Sequence, residues 1–68
     1  MQEIRKLIGN KIRTRRLAMN LSQREFSLQT GISRNQLRGV ESGQTNMSID
    51  MLYKIAEALE IEAKELLP

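Results

Sequence analysis

The stretch LSQREFSLQTGISRNQLRGVESG, residues 21–43, decides the fold. Ser22 and Glu25 have the spacing of a capping box: the serine oxygen takes the amide three residues on, and the glutamate reaches back to the serine amide. A helix therefore begins there, with Leu21, Phe26 and Thr30 as its inward residues. Gly31 ends it, because glycine adopts the left-handed conformation cheaply. Ile32 packs in the turn and Ser33 caps a further helix, in which Leu37 and Val40 point inward. Gly43 ends that helix. Ser27 is a small residue just before the turn, so the two helices can approach. Two short helices joined through Gly31 make a helix-turn-helix candidate over about residues 22–42.

On either side of this unit the pattern stays helical. Residues 3–19 predict a first helix with Ile4, Leu7, Ile8 and Ile12 on one face, and Arg16 next in that series. Gly9 inside it costs up to about 1 kcal/mol against Ala; a close helix contact would account for it. Asn20 ends the helix. Residues 44–47 form a loop. Ser48 caps a fourth helix whose inward stripe is Ile49, Leu52, Ile55, Ala56 and Leu59. A last short turn over residues 62–67 carries Leu66 and Leu67. No alternation of period two is long enough for a strand. The expected class is all-α: a compact five-helix bundle forming one domain over residues 1–68.

Composition excludes several kinds of function. The 68 residues include no cysteine and no histidine. Disulfides, thiolate or imidazole metal sites and His- or Cys-dependent catalysis are thereby ruled out. No carboxylate pair suggests an enzyme, and no cofactor or small-molecule ligand is indicated. No segment approaches the roughly 20 apolar residues of a membrane span, and the N-terminus lacks the apolar run of a secretory signal. A cytoplasmic location is expected. The charge is polarised. Residues 1–20 carry six basic side chains and one acidic, whereas residues 46–68 carry two basic and five acidic. Such a molecule turns one face toward a polyanion.

The motifs L-S-Q at 21–23, T-G-I-S at 30–33, V-E-S-G at 40–43 and S-I-D-M-L-Y-K-I-A-E-A-L at 48–59 together resemble the lambda-repressor/Cro type of DNA-binding domain, the Xre family. The resemblance runs from about Ile8 to Leu67. It implies a recognition helix in the major groove, with Arg34 and Asn35 reading base edges. Arg38, one turn after Arg34, stands between base and phosphate. Gln23 matches a phosphate contact that also braces the recognition helix. Ser33, Ser42 and the loop Gln44, Thr45 and Asn46 match phosphate-gripping positions, the loop partly through backbone amides. Arg16 and Glu41 match a buried ion pair. Three positions depart from the family pattern: Ser27 replaces the usual Ala, Met47 replaces a frequent Pro, and Gly39 lacks the side chain that many relatives carry.

Side-chain chemistry points the same way. Arg pairs bidentately with guanine O6/N7, and Asn with adenine N6/N7. Gln36 could also pair with adenine, but one helical step of about 100° turns it away from Asn35. Any single one of Arg5, Lys6, Lys11, Arg13 and Arg15 is by default a solvated charge, with one or two of the five expected on phosphate. The expected function is a sequence-specific double-stranded DNA-binding transcription regulator, a repressor, bacterial or phage-encoded and nucleoid-associated. It would act as a homodimer on a near-palindromic operator, paired through Leu66 and Leu67. Repressor, restriction–modification controller and antitoxin all fit, as does a fragment of a longer protein. The competing class is a protein-interaction module built on the same bundle.

Overall fold

Three serines and two glycines punctuate the chain. Ser22, Ser33 and Ser48 each accept a hydrogen bond from the amide three residues on, and Gly31 and Gly43 close their helices in the left-handed conformation. A computed structural model describes residues 2–68, the side chain of Gln2 excepted. The elements are α1 (Gln2–Ala18), α2 (Gln23–Thr30), α3 (Arg34–Ser42), α4 (Ile49–Ala58) and a terminal 3₁₀ turn (Ala63–Leu66). The described residues are all-helical. The expected fifth helix is only that one 3₁₀ turn. Leu67, which follows it, is extended, as suits a residue whose α conformation is disfavoured by the next residue, Pro68.

The elements close into a ring. α1 packs on α3, α3 on α2, α2 on α4, and the terminal turn wedges between α4 and α1. Each contributes to one core, in which Ile12, Phe26, Leu37, Ile55, Leu59 and Leu66 are at most 1% exposed. Gly9 marks the tightest approach. A Cβ there would lie 2.6 Å from the Glu41 carbonyl oxygen and closer still to that of Val40. Any side chain at residue 9 would push α1 off the last turn of α3.

The apolar stripes are shorter than the sequence suggested. α1 buries Ile8, Gly9, Ile12 and Arg16. Ile4, at the open N-terminal end, is 44% exposed, and Leu7, about 100° off the stripe, is 53% exposed. Ile49, the first residue of α4, is 71% exposed, while Met51 and Leu52 in the same turn pack against the core. Leu66 is a core residue and not a surface residue, while Leu67 is 45% exposed.

At the start of α2 the Ser22 amide donates to Glu25 Oε1 at 2.9 Å, and the Glu25 amide donates to Ser22 Oγ at 3.0 Å. The backbone bond from Ser22, then its side-chain bond, hold the Glu25 carboxyl below the ordinary glutamate range. A carboxyl with a depressed folded pKa contributes stability above its unfolded pKa and loses it as pH falls through the folded one. Glu25→Ala should therefore melt below wild type at neutral pH. The gap should close as pH drops through and below the ordinary glutamate range, as thermal denaturation followed by circular dichroism would show.

Candidate nucleic-acid interface

The turn between α2 and α3 is closed by side chains. Ser27 Oγ donates to the Ile32 carbonyl at 2.6 Å. Thr30 Oγ1 donates to the Phe26 carbonyl at 2.9 Å and accepts from the Ile32 amide at 3.2 Å. Both backbone groups of Ile32 thus bind hydroxyls of α2, and buried polar groups satisfied in this way rigidify a turn. Ser27 does more than stay small. Its hydroxyl ties α2 to the turn that leads into α3.

On α3 the first turn is capped by Ser33 and Gln36. Ser33 Oγ accepts from the Gln36 amide at 3.1 Å, and Gln36 Oε1 accepts from the Ser33 amide at 3.4 Å. Gln36 therefore serves the helix end. Arg34, Asn35 and Arg38 are exposed, and no intramolecular hydrogen bond or ion pair engages them among the described residues. They line a shallow groove with Ser27 and Ser33. Arg38 also borders a second groove, shared with Arg13, Arg16, Gln23, Glu41 and Ser42.

Beneath that second groove lies a buried ion pair. Arg16 Nε donates to Glu41 Oε2 at 2.7 Å, and Arg16 Nη2 donates to Glu41 Oε1 at 3.1 Å. Arg16 Nη1 donates to the Leu21 carbonyl at 2.7 Å, just before α2. Gln23 Nε2 reaches the same Glu41 Oε1 at 3.4 Å, a long contact. Both charged residues are more than nine-tenths buried. One carboxylate thus joins α1, the start of α2 and the end of α3.

The loop after α3 hangs on the Gly39 carbonyl. It accepts from the Gln44 amide at 2.8 Å, the Thr45 amide at 3.1 Å and Ser42 Oγ at 3.1 Å. A Cβ at residue 39 would fall on Thr45 Oγ1. The missing side chain in the middle of α3 is explained by this loop. The backbone amides of Gln44 and Thr45 are thus bonded within the chain. Gln44 and Asn46 have exposed side chains, and Thr45 is half-buried. The hydroxyl of Ser33 donates to Gln36 Oε1 at 3.2 Å, so it and Ser42 must rotate to donate elsewhere. Loop rigidity does not need the proline that Met47 replaces, since Met47 packs against the core.

The basic residues of α1 divide between two sides. Lys11 Nζ donates to the Leu67 carbonyl at 3.0 Å, and Arg15 Nε to the Leu59 carbonyl at 3.1 Å. Both hold the C-terminal part of the fold. Arg13, two residues from each, faces the groove beside α3. Sequence reasoning treated all five basic side chains alike. The signal that separates them is the helical step, which sets residue 13 about 200° from 11 and from 15.

A capped helix-turn-helix that presents an outward, donor-rich second helix defines a DNA-binding transcription regulator domain. The helix-turn-helix family model HTH_3 matches residues 12–66, and the chain belongs to that family, of the lambda-repressor/Xre type. The chain is 37% identical over 65 residues to the control protein C.BamHI of Bacillus amyloliquefaciens, a match covering 94% of this chain and 80% of that protein. It is 34% identical over 67 residues to the control protein C.MunI of Mycoplasma sp, covering 97% and 90%. The crystal structure of the restriction–modification controller protein C.AhdI from Aeromonas hydrophila superposes with a TM-score of 0.90 at 38% identity, covering 93% of this chain and 96% of that one.

Removing one partner of the buried pair leaves the other charge uncompensated, at a cost of about 3–5 kcal/mol. Arg16→Met should lose that much unfolding free energy in urea denaturation, whereas Arg16→Met/Glu41→Leu should regain most of it. A loss in the double variant equal to the sum of the Arg16→Met and Glu41→Leu losses would mean that the two charges are not coupled.

Proposed function

We propose that the chain is a single helix-turn-helix domain that binds double-stranded DNA sequence-specifically. It acts as a homodimer on a near-palindromic operator and represses transcription there. The observation that carries this reading is the set Arg34, Asn35 and Arg38: exposed, close together on α3 and engaged by no group among the described residues. Arg34 would read guanine and Asn35 adenine, and Arg38 would meet a base or a phosphate. Gln23, Ser33, Ser42, Gln44, Thr45 and Asn46 would follow the phosphates through their side chains, which position the helix without reading sequence. The likeness to C.AhdI favours an operator in a restriction–modification operon. The protein would work in the bacterial cytoplasm, on the nucleoid; no described helix is long and apolar enough to cross a membrane.

Selection of bound duplexes from a random pool tests the reading. Arg34→Ala should weaken the selected site by about 1–3 kcal/mol, roughly 5- to 150-fold, and relax preference at one position of each half-site. If the pool yields no consensus and Arg34→Ala binds like wild type, α3 does not read DNA.

For the dimer, the exposed apolar residues Ile49 and Leu67 border a cleft lined also by Arg5, Ile8, Met47 and Leu52. A second copy covering it would bury side chains that the monomer leaves in water. Leu67 keeps the role expected of it, while Ile49 stands in for the buried Leu66. Ile49→Lys should shift sedimentation to the monomer with helicity unchanged. Dimers of undiminished affinity would place the interface elsewhere.

A further inference from the structure

Among Arg5, Lys6, Lys11, Arg13 and Arg15 on α1, the geometry points to Arg13 as half of a phosphate seat whose other half is Arg38. This inference rests on the DNA-binding reading above and adds a residue and a site to it. The groove between α1 and α3 is lined by Arg13, Arg16, Gln23, Arg38, Glu41 and Ser42. Two of these charges cancel. Glu41 is taken up by the guanidinium of Arg16, which bonds both carboxylate oxygens and the Leu21 carbonyl. What faces outward is the remainder: two guanidiniums, one on each helix, with no partner among the described residues. Gln23 and Ser42 line the same groove.

The helix register explains why it is this arginine. Residues 9, 13 and 16 follow one another at helical spacing. Gly9 lies against the Val40 and Glu41 carbonyls and Arg16 pairs with Glu41, so Arg13 is held between two anchored positions. Lys11 and Arg15, about 200° around the helix, donate to carbonyls at Leu67 and Leu59. The ligand class is a single phosphodiester oxygen pair. Two guanidinium forks and a neutral amide suit such a group, and none of them reads a base. Arg38, on the ridge between this groove and the one holding Arg34 and Asn35, is thereby assigned to phosphate as much as to base.

A competing role for Arg13 is structural, as a cation near the C-terminal end of α3. The two roles predict different measurements. Binding to a duplex of fixed arbitrary sequence and to the selected operator is measured from 50 to 200 mM salt for wild type, Arg13→Ala, Arg13→Lys and Arg15→Ala, alongside each melting temperature. A lost phosphate contact lowers the salt slope by about 0.9 per bound chain, so the wild-type advantage over Arg13→Ala should shrink about 3.5-fold across that range for each bound chain, or about 12-fold for a dimer. The deficit should be equal on both duplexes, since no base is read. Arg13→Lys should recover most of the slope, and Arg15→Ala should keep the wild-type slope. An unchanged slope for Arg13→Ala overturns the seat, whether or not its melting temperature falls. An equal loss for Arg15→Ala also overturns it, because the effect would then be general charge. If wild type itself shows no salt-dependent binding to either duplex, the DNA-binding reading fails first, and the two failures are distinguishable.

Discussion

Everything in this small fold leans on the contact between Arg16 and Glu41. Two charges taken out of water gain from one another only if the geometry is good and their remaining hydrogen-bonding capacity is used. Here the guanidinium grips both carboxylate oxygens, and its third nitrogen meets the Leu21 carbonyl. An apolar pair could supply comparable stability. What it could not supply is direction. The forked pair fixes α1 in rotation as well as distance, and it does so at the last turn of the helix that faces outward. Gly9 acts at the same place, by letting the α1 backbone reach the Val40 and Glu41 carbonyls. One link is electrostatic and the other steric, and together they define where α3 stands.

The rest of the scaffold economises on core. A chain of 68 residues buries a modest share of its surface. Its helices are correspondingly well terminated. Serines cap α2, α3 and α4, and the two glycines close α2 and α3. The hydroxyls of Ser27 and Thr30 engage both backbone groups of Ile32. Such local bonds each contribute about 0.5–2 kcal/mol, and they hold short helices that would not persist in isolation. Rigidity in the helix-turn-helix thus arises from polar closure of its turn as much as from Phe26, Leu37 and Val40 beneath it.

That division also explains what could be read from the sequence. Caps and stops act over three or four residues, so Ser22–Glu25, Gly31, Ser33 and Gly43 announced the helix-turn-helix before any tertiary contact was known. The rotation and overhang of helices are set from a distance. Periodicity put Ile4, Leu7 and Ile49 in the core, yet Ile4 and Ile49 stand at helix ends and Leu7 lies off the buried stripe. Leu66 and Leu67 look equivalent in sequence, and only the fold separates the buried one from the exposed one. Gly39 had no local meaning, because its neighbour Thr45 lies beyond the helix stop and is brought back by the Gly39 carbonyl itself. The Arg16–Glu41 pair spans 25 residues and entered only through family resemblance.

The outer face of α3 stands apart from this web of constraint. The side chains of Arg34, Asn35 and Arg38 form no hydrogen bond or ion pair among the described residues, while those of Gln36, Leu37, Val40 and Glu41 on the same helix cap it, pack in the core or form the buried pair. Proposed recognition and stability are therefore carried by different residues of one element. Gln23 is the exception. It shares Glu41 with Arg16 and borders the same groove as Arg13 and Arg38, so a phosphate held there would bear directly on the buried pair. The polarised charge follows the same logic. Lys11 and Arg15 are drawn toward the Leu67 and Leu59 carbonyls. Arg13, Arg34 and Arg38 have no such side-chain bond among the described residues, and positive charge left free in this way steers association with a polyanion.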